Sequence, residues 1–252
     1  METKNELYKY CLRLGDDALI LGHRLSELCS KAPFLEEDLA LTNISLDMIG
    51  RAQAFLKYAS ELSDNFITED DIAYRRPENE YYNHLITEQP NGDFAHTIVR
   101  QFFVSVFEYH FFEALTKSKD KSLAAIASKT VKEVKYHMEH ATDWVVRLGD
   151  GTEESHRRMQ IAIEDLWMYT GEFFEMDYVD DILLSAGIAV DKSLIKEKWM
   201  KEIIKPLEEA TLILPAYTHM QTGSKKGIHT ECLGHILSEM QYLQRAYPDA
   251  KW

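Results

Sequence analysis

Apolar side chains recur at intervals of three and four residues through nearly the whole of this 252-residue sequence. Such an interval places them on one face of an α-helix, whereas a half-buried strand alternates apolar and polar residues. The first row of this kind contains Leu14, Ala18, Leu21, Leu25 and Leu28. The sequence has only 11 Gly and 6 Pro and no convincing alternating segment. These features predict an all-α fold.

Residues that disfavour helices divide the pattern into segments. Ala32-Pro33 ends the first helix, because the residue before a proline avoids the helical region. The turn-forming residues 89–92 and 149–151 make two further breaks. The other long helices are predicted at residues 35–62, 94–118, 123–148 and 153–175, followed by one helix before Pro215 and one after the loop at residues 223–227.

Four long helices with a longer connection between the second and the third are typical of a ferritin-like four-helix bundle with a crossover. The middle of the third helix, residues 102–112, is apolar on almost every side. A helix of that kind is surrounded by several neighbours. We therefore predict one ferritin-like helical domain over residues 1–252, with additional helices in its C-terminal part.

Composition excludes several classes of function. The chain has 28 basic and 42 acidic residues and a formal net charge of −14, which argues against nucleic-acid binding because phosphate contacts need a basic surface. Three scattered cysteines form no disulfide framework or zinc motif and suggest a reducing compartment. No apolar run approaches the ~20 residues of a membrane span. We expect a cytoplasmic protein.

A ferritin-like di-iron site needs one Glu from each of two helices and Glu-x-x-His from each of the other two. The second helix has Asp47 in the carboxylate position, but Gly50 stands where the imidazole is needed. The fourth helix has Glu133 followed by Tyr136, again without the imidazole, and His137 lies about 100° further around the helix. The pattern indicates a site that has kept its carboxylates and lost its histidines.

Asp17 on the first helix is the expected counterpart of Asp47, and Glu108 is the acidic candidate on the third helix. We interpret one set of residues as a vestigial metal-site region: Asp17, Asp47, Gly50, Glu133, Tyr136 and His137.

Two interpretations of this region remain. One is an unusual metal site that uses His137 or His140. The other, which we favour, is a polar core in which Asp47 pairs with Arg51 and Glu133 with His137, because a buried carboxylate needs a partner. No catalytic, cofactor-binding or metal-ligating residue is assigned.

A second polar cluster lies in the glycine-containing loop before the last predicted helix, where Lys225 and Lys226 are followed by His229. Thr230 stands at the expected N-cap of that helix. Two lysines near a helix N-terminus could hold a phosphate, such as one on a coenzyme A tail. The alternative, which we favour, is a solvated loop or a contact with a partner protein.

Five segments together resemble a known family: LRLGDDALILGHRLSELC, DLALTNISLDMIGRAQAFL, EQPNGDFAHTIVRQFF, KEVKYHMEHA and GSKKGIHTECLGHILSEMQYLQR. In order and spacing they are similar to the ferritin-like PaaA/PaaC family of bacterial phenylacetyl-CoA epoxidase subunits, and in particular to its structural, PaaC-type members. The resemblance extends over nearly the whole chain.

This resemblance implies a non-catalytic structural subunit of the multicomponent phenylacetyl-CoA epoxidase, a ring 1,2-phenylacetyl-CoA monooxygenase of aerobic phenylacetate degradation. It implies no cofactor in this chain and a di-iron centre in a catalytic PaaA-type partner. It also implies further subunits as partners, and we expect a homodimer when the catalytic subunit is absent. The alternatives are an autonomous di-iron carboxylate oxidase and an iron-storage protein.

Overall fold

The computed structural model describes residues 2–248 and residue 250. These residues form α-helices and short 3₁₀-helices and contain no strand. The α-helices are α1 (Glu2–Ser26), α2 (Leu35–Leu62), α3 (Glu69–Tyr74), α4 (Leu85–Glu88), α5 (Phe94–Leu115), α6 (Lys121–Gly149), α7 (Glu153–Trp167), α8 (Tyr178–Ser185), α9 (Ser193–Glu209), α10 (Glu231–Met240) and α11 (Tyr242–Ala246). The 3₁₀-helices are Glu78–Glu80, Thr170–Phe174 and Ser224–Lys226.

Contacts divide the chain into two compact units. The first contains Met1–Pro90 and Gly223–Trp252, and the second contains Asn91–Thr222. The helical content confirms the predicted all-α, ferritin-like class. The single domain over residues 1–252 stays a prediction.

The long helices α1 and α2 form an antiparallel pair in the first unit. Two glycines of α1 allow the backbones to approach. A Cβ atom at Gly22 would lie 2.9 Å from Cδ1 of Ile49, and one at Gly15 would overlap Leu56. The hydroxyl of Ser45 donates a hydrogen bond to the carbonyl oxygen of Gly22 at 2.8 Å. Close packing and this hydrogen bond together set the register of the pair.

The C-terminal segment, residues 223–248, returns to this first unit. Its first turn requires Gly227, which has a φ of +67° and whose absent Cβ would overlap the carbonyl oxygen of Asn79. Residues other than glycine rarely adopt this left-handed conformation. The glycine therefore lets the chain turn tightly against residues 78–80 before α10 begins.

The second unit is built around α5. Nearly every residue between Ala95 and Glu108 is buried, which confirms that this apolar helix is central. An aromatic cluster packs against it. The Phe107 and Phe173 rings stack with their centroids 4.7 Å apart, and the indole N–H of Trp199 donates a hydrogen bond to the Phe103 carbonyl at 3.0 Å.

The observed helix bounds agree with the predicted ones for some of the long helices and differ for others. The second predicted helix is confirmed at both ends, whereas the fifth ends at Trp167 and is followed by a 3₁₀ segment. Sequence reasoning missed α3 and α8, which begin with capping boxes at Thr68 and Asp177. No helix in the described part of the chain is long and apolar enough to cross a membrane.

Candidate functional site

Two residues of the vestigial metal-site region, Gly50 and Tyr136, lie on exposed faces of their helices. Gly50 is exposed, and a Cβ built on it would meet no atom within 4 Å. Tyr136 is 49% exposed. Neither position is on a buried helix face, so neither marks the place of an inward-pointing imidazole. One residue corresponds to about 100° of rotation, and the buried positions are Met48 and Arg51 on α2 and Val134 and His137 on α6.

The burial predicted for the four paired residues is confirmed. Arg51 and His137 are buried, and Asp47 and Glu133 are half-buried. Glu133 lies 3.5 Å from the ammonium of Lys129, one turn earlier on the same helix. The predicted pairings of Asp47 with Arg51 and of Glu133 with His137 stay predictions.

Asp17 is engaged with a loop. Its carboxylate accepts a hydrogen bond from the backbone N–H of His84 at 2.6 Å and lies 2.8 Å from the Nδ1 atom of the same residue. His84 is the N-cap residue of α4. These contacts with Asp17 hold the start of α4 against α1.

These residues do not fit a di-iron centre of the Glu-x-x-His type. In place of carboxylate and imidazole, the buried face of α2 presents Met48 and Arg51, and a guanidinium repels a cation. Among residues 2–248 and 250 there is no group of three or more His, Cys, Asp and Glu side chains that could hold a metal ion.

The first unit contains a buried polar network centred on Glu88, which sequence reasoning did not find. One carboxylate oxygen of Glu88 lies 2.9 Å from Nδ1 of His229 and 3.1 Å from the side-chain amide nitrogen of Asn83. The other accepts a hydrogen bond from the backbone N–H of Thr230 at 2.6 Å. We call Glu88, Asn83, His229 and Thr230 the Glu88 network. It joins α4 to the start of α10.

The side chain of His229 is therefore enclosed by the Glu88 network and not exposed in the loop. The Glu88 and His229 side chains are both 0% exposed. Nε2 of His229 lies 2.8 Å from the carbonyl oxygen of Tyr81, and a carbonyl only accepts, so this nitrogen carries a proton. Burial lowers the pKa of His229, but the hydrogen bond and charge of Glu88 outweigh it and raise the pKa above its usual 6.5.

The neighbouring loop residues differ in environment. Lys225 is half-buried and Lys226 is exposed, within the 3₁₀-helix Ser224–Lys226. Thr230 is the N-cap of α10 as predicted, but its side chain makes no capping hydrogen bond. Glu88 instead accepts from the Thr230 backbone. A role for the two lysines as an anion or partner contact stays a prediction.

A second buried group links α1 to the segment before α4. The Asp16 carboxylate forms a two-point ion pair with the guanidinium of Arg76, and it accepts a hydrogen bond from the backbone N–H of Tyr82 at 3.0 Å. Arg76 also donates to the carbonyl oxygens of Ile72 at 2.6 Å and Glu80 at 2.7 Å. Burial lowers the pKa of Arg76, but the Asp16 charge outweighs it and raises the pKa.

Two further contacts join this group to the C-terminal segment. The side-chain amide of Gln241, between α10 and α11, donates to the carbonyl oxygen of Arg76 at 2.9 Å and to the hydroxyl of Tyr81 at 2.8 Å. The guanidinium of Arg24 donates to the carbonyl oxygens of Glu88 at 2.8 Å and of Cys232 at 3.2 Å. The buried polar residues of the first unit thus form a structural connection that holds residues 223–246 against α1 and α4.

Two comparisons with known proteins show the family of this chain. The chain matches a family model, PaaA_PaaC, described as "Phenylacetic acid catabolic protein", over residues 1–252. It is 47% identical over 248 residues to a protein of Escherichia coli (strain K12) that is named as the C subunit of 1,2-phenylacetyl-CoA epoxidase. That alignment covers 98% of this chain and 100% of the relative. An all-helical chain that matches the family model from end to end belongs to the PaaA_PaaC family of phenylacetic acid catabolic proteins.

Proposed function

We propose that this chain is a non-catalytic structural subunit of a multicomponent phenylacetyl-CoA epoxidase of aerobic phenylacetate degradation, acting in the cytoplasm. The observation that carries the proposal is the 47% identity to a relative named as the C subunit of such an epoxidase, over the full length of that relative. Similarity over the whole length of that relative supports the same role in an assembly rather than a shared fold alone.

The buried polar residues of the first unit support the proposal that this chain has a structural role. Glu88, His229, Asp16 and Arg76 are buried and bonded to one another or to backbone groups. An active site instead needs groups that reach a substrate in a cleft. These buried polar groups thus stabilise the fold of the first unit, as expected for a structural subunit.

In the proposed assembly, a PaaA-type subunit holds the di-iron centre, which activates dioxygen for epoxidation of the aromatic ring. A reductase subunit supplies the electrons. The present chain contributes no metal ligand and supports the catalytic subunit through a large interface. The acidic, all-helical character of the chain is compatible with a subunit that acts through protein contacts.

Co-expression of this chain with a PaaA-type subunit tests the proposal. We expect the two to co-elute in a fixed stoichiometry, and we expect phenylacetyl-CoA-dependent oxygen consumption with the reductase to require both. The present chain alone should show none. Separate elution at micromolar concentrations, or full activity without this chain, would refute the structural role.

Metal analysis distinguishes the proposed structural subunit from the alternative, an autonomous di-iron oxidase. Two irons per chain in protein expressed alone, together with substrate-dependent oxygen consumption, would favour that alternative. The same measurement on the co-expressed assembly should find the iron associated with the partner subunit.

A further inference from the structure

The ring of His96 lies between two carboxylates in the second unit. Nδ1 of His96 is 2.8 Å from Oδ1 of Asp93, the N-cap residue of α5. Nε2 of the same ring is 3.0 Å from Oδ2 of Asp165, which belongs to α7. One imidazole therefore connects the start of α5 to α7.

The two contacts together require a protonated ring. An ionised carboxylate only accepts hydrogen bonds, and a neutral imidazole has a single N–H. A neutral ring therefore donates to one carboxylate and turns a lone pair toward the other, whereas the imidazolium donates to both. Burial lowers the pKa of His96, but its hydrogen bonds to Asp93 and Asp165 outweigh burial and raise the pKa above its usual 6.5.

Deprotonation breaks the contact with α7 rather than the contact with Asp93. Asp93 lies three residues before the ring and also accepts a hydrogen bond from the backbone N–H of His96 at 3.0 Å, so it stays in place. The single proton of the neutral ring therefore remains on Nδ1. The Asp165 side chain is 60% exposed, so water solvates its carboxylate once it leaves the ring.

Arg158 makes a second charged contact between α7 and Asp93. Its guanidinium lies 3.5 Å from Oδ2 of Asp93 and 2.7 Å from Glu154 of its own helix. Arg158 stays charged throughout the range in which His96 titrates. Together with the buried apolar face of α7, it holds the helix when Asp165 has left the ring. We therefore expect loss of the His96 contact to loosen α7 locally and not to unfold the second unit.

An irregular segment, residues 213–221, lies along α7 and depends on the position of that helix. We call it the α7 strap. The side-chain amide of Gln160 exchanges two hydrogen bonds with the backbone of Ile213, each of 2.9 Å. The hydroxyl of Tyr217 donates to the carbonyl oxygen of Glu164 at 2.6 Å. The carboxylate that contacts the His96 ring is on the next residue, so a movement there is passed to the strap.

The α7 strap carries two titratable side chains, Tyr217 and His219. Burial and the charge of Asp165 raise the pKa of Tyr217 above its usual 10, so its hydroxyl keeps its proton while His96 titrates. His219 is exposed. A test of His96 therefore needs a His219 variant as its control.

We propose that His96 is a proton-controlled latch, in which the protonated ring holds α7 and the α7 strap to the start of α5 and loss of one ring proton releases Asp165. The latch contributes fully below the unfolded pKa of about 6.5 and is lost as the pH rises through the higher pKa of the folded chain. The proposal concerns the chain by itself and does not rest on the proposed function.

Nuclear magnetic resonance of the ¹⁵N-histidine-labelled full-length chain tests the state of the ring, with His96→Gln to assign the signal. We expect two protonated ring nitrogens below the midpoint and a proton on Nδ1 above it. Asp165→Asn should lower the midpoint by roughly 0.2–0.7 pH unit, as expected for an exposed pair. The matched control is Glu164→Gln, which removes the same charge one residue away and should change the midpoint much less.

Hydrogen exchange tests the release of α7. At each pH, the rates of the wild type are compared with those of His96→Gln, because exchange itself accelerates with pH. Below the midpoint, α7 and the α7 strap should exchange roughly two- to fivefold more slowly in the wild type, and above it the two rates should converge. His219→Gln should behave as the wild type. Peptides of α10 should not differ, which separates this latch from the Glu88 network.

Three outcomes would overturn the proposal. The first, measured on the wild type itself, is a His96 ring that is neutral below its usual pKa of about 6.5. The second is an equal midpoint in Asp165→Asn and Glu164→Gln. The third is a ratio of exchange rates in α7 that stays constant across the titration. Thermal unfolding of each variant establishes that it is folded.

Discussion

Removing the Glu88 carboxylate should detach the C-terminal segment from the first unit. In Glu88→Ala, the backbone N–H of Thr230 and the Nδ1 atom of His229 lose their shared partner, as does the side-chain amide of Asn83. All three groups bond to one charged side chain that is 0% exposed. Breaking a buried charge pair by removing one partner costs roughly 3–5 kcal/mol.

Thermal unfolding and hydrogen exchange measure this loss. For a chain of this size, 1 kcal/mol corresponds to about 2–4 °C in Tm, so we expect Glu88→Ala to lower the Tm by roughly 10 °C. Amide exchange should accelerate most in α10 and α11, because the network connects them to α4. Glu88→Gln is the matched control. Its amide keeps the shape, can accept from Thr230 and can donate to a neutral His229, so its loss should be much smaller.

Two results would refute this reasoning. One is a Tm of Glu88→Ala within about 2 °C of the wild type, which corresponds to 1 kcal/mol or less and would show that the network contributes little. The other is uniform acceleration of exchange across both units. That result would show that Glu88 stabilises the whole chain rather than the attachment of the C-terminal segment.

Four further outcomes are expected. Because the pKa of His229 is raised in the folded chain, its contribution to stability is fully present below the unfolded pKa of about 6.5 and is lost as the pH rises through the folded pKa. A wild-type Tm that does not fall over that range relative to Glu88→Gln would contradict this. Gly227→Ala should cost more than about 1 kcal/mol in chemical denaturation, since the residue combines a positive φ with a backbone overlap, whereas an unchanged midpoint would argue against the tight turn. Asp47→Ala should cost about 1 kcal/mol or less because Asp47 is only half-buried, and loss of activity in the assembled complex at unchanged Tm would instead give this carboxylate a direct role. Purified chain should contain no stoichiometric iron by elemental analysis, and two metal ions bound at Asp17, Asp47 and Glu133 would contradict this.

The helical periodicity of apolar residues, which extends over long segments, was enough to predict the main architecture. Helix α2 runs from Leu35 to Leu62 as predicted, because Ala32, which precedes Pro33, avoids the helical region and 28 residues of helical pattern leave little ambiguity. The all-round apolar sequence of α5 likewise required a central position. By contrast, α3 and α8 have six and eight residues, which is too short for periodicity to stand out. Their capping boxes were the available local signal.

The site residues depended on contacts that no local pattern contains. Glu88 and His229 are 141 residues apart, and no spacing rule links a glutamate before a turn to a histidine near a distant helix. On α2 and α6, the predicted imidazole positions Gly50 and Tyr136 are exposed, since each step along a helix rotates a side chain by about 100°. The sequence determined that these segments are helices. It also determined that they lack the histidines, three residues after a carboxylate, that a di-iron site needs. Only the tertiary structure decided which face of each helix is buried, because burial is set by the neighbours that a helix meets and not by its own sequence.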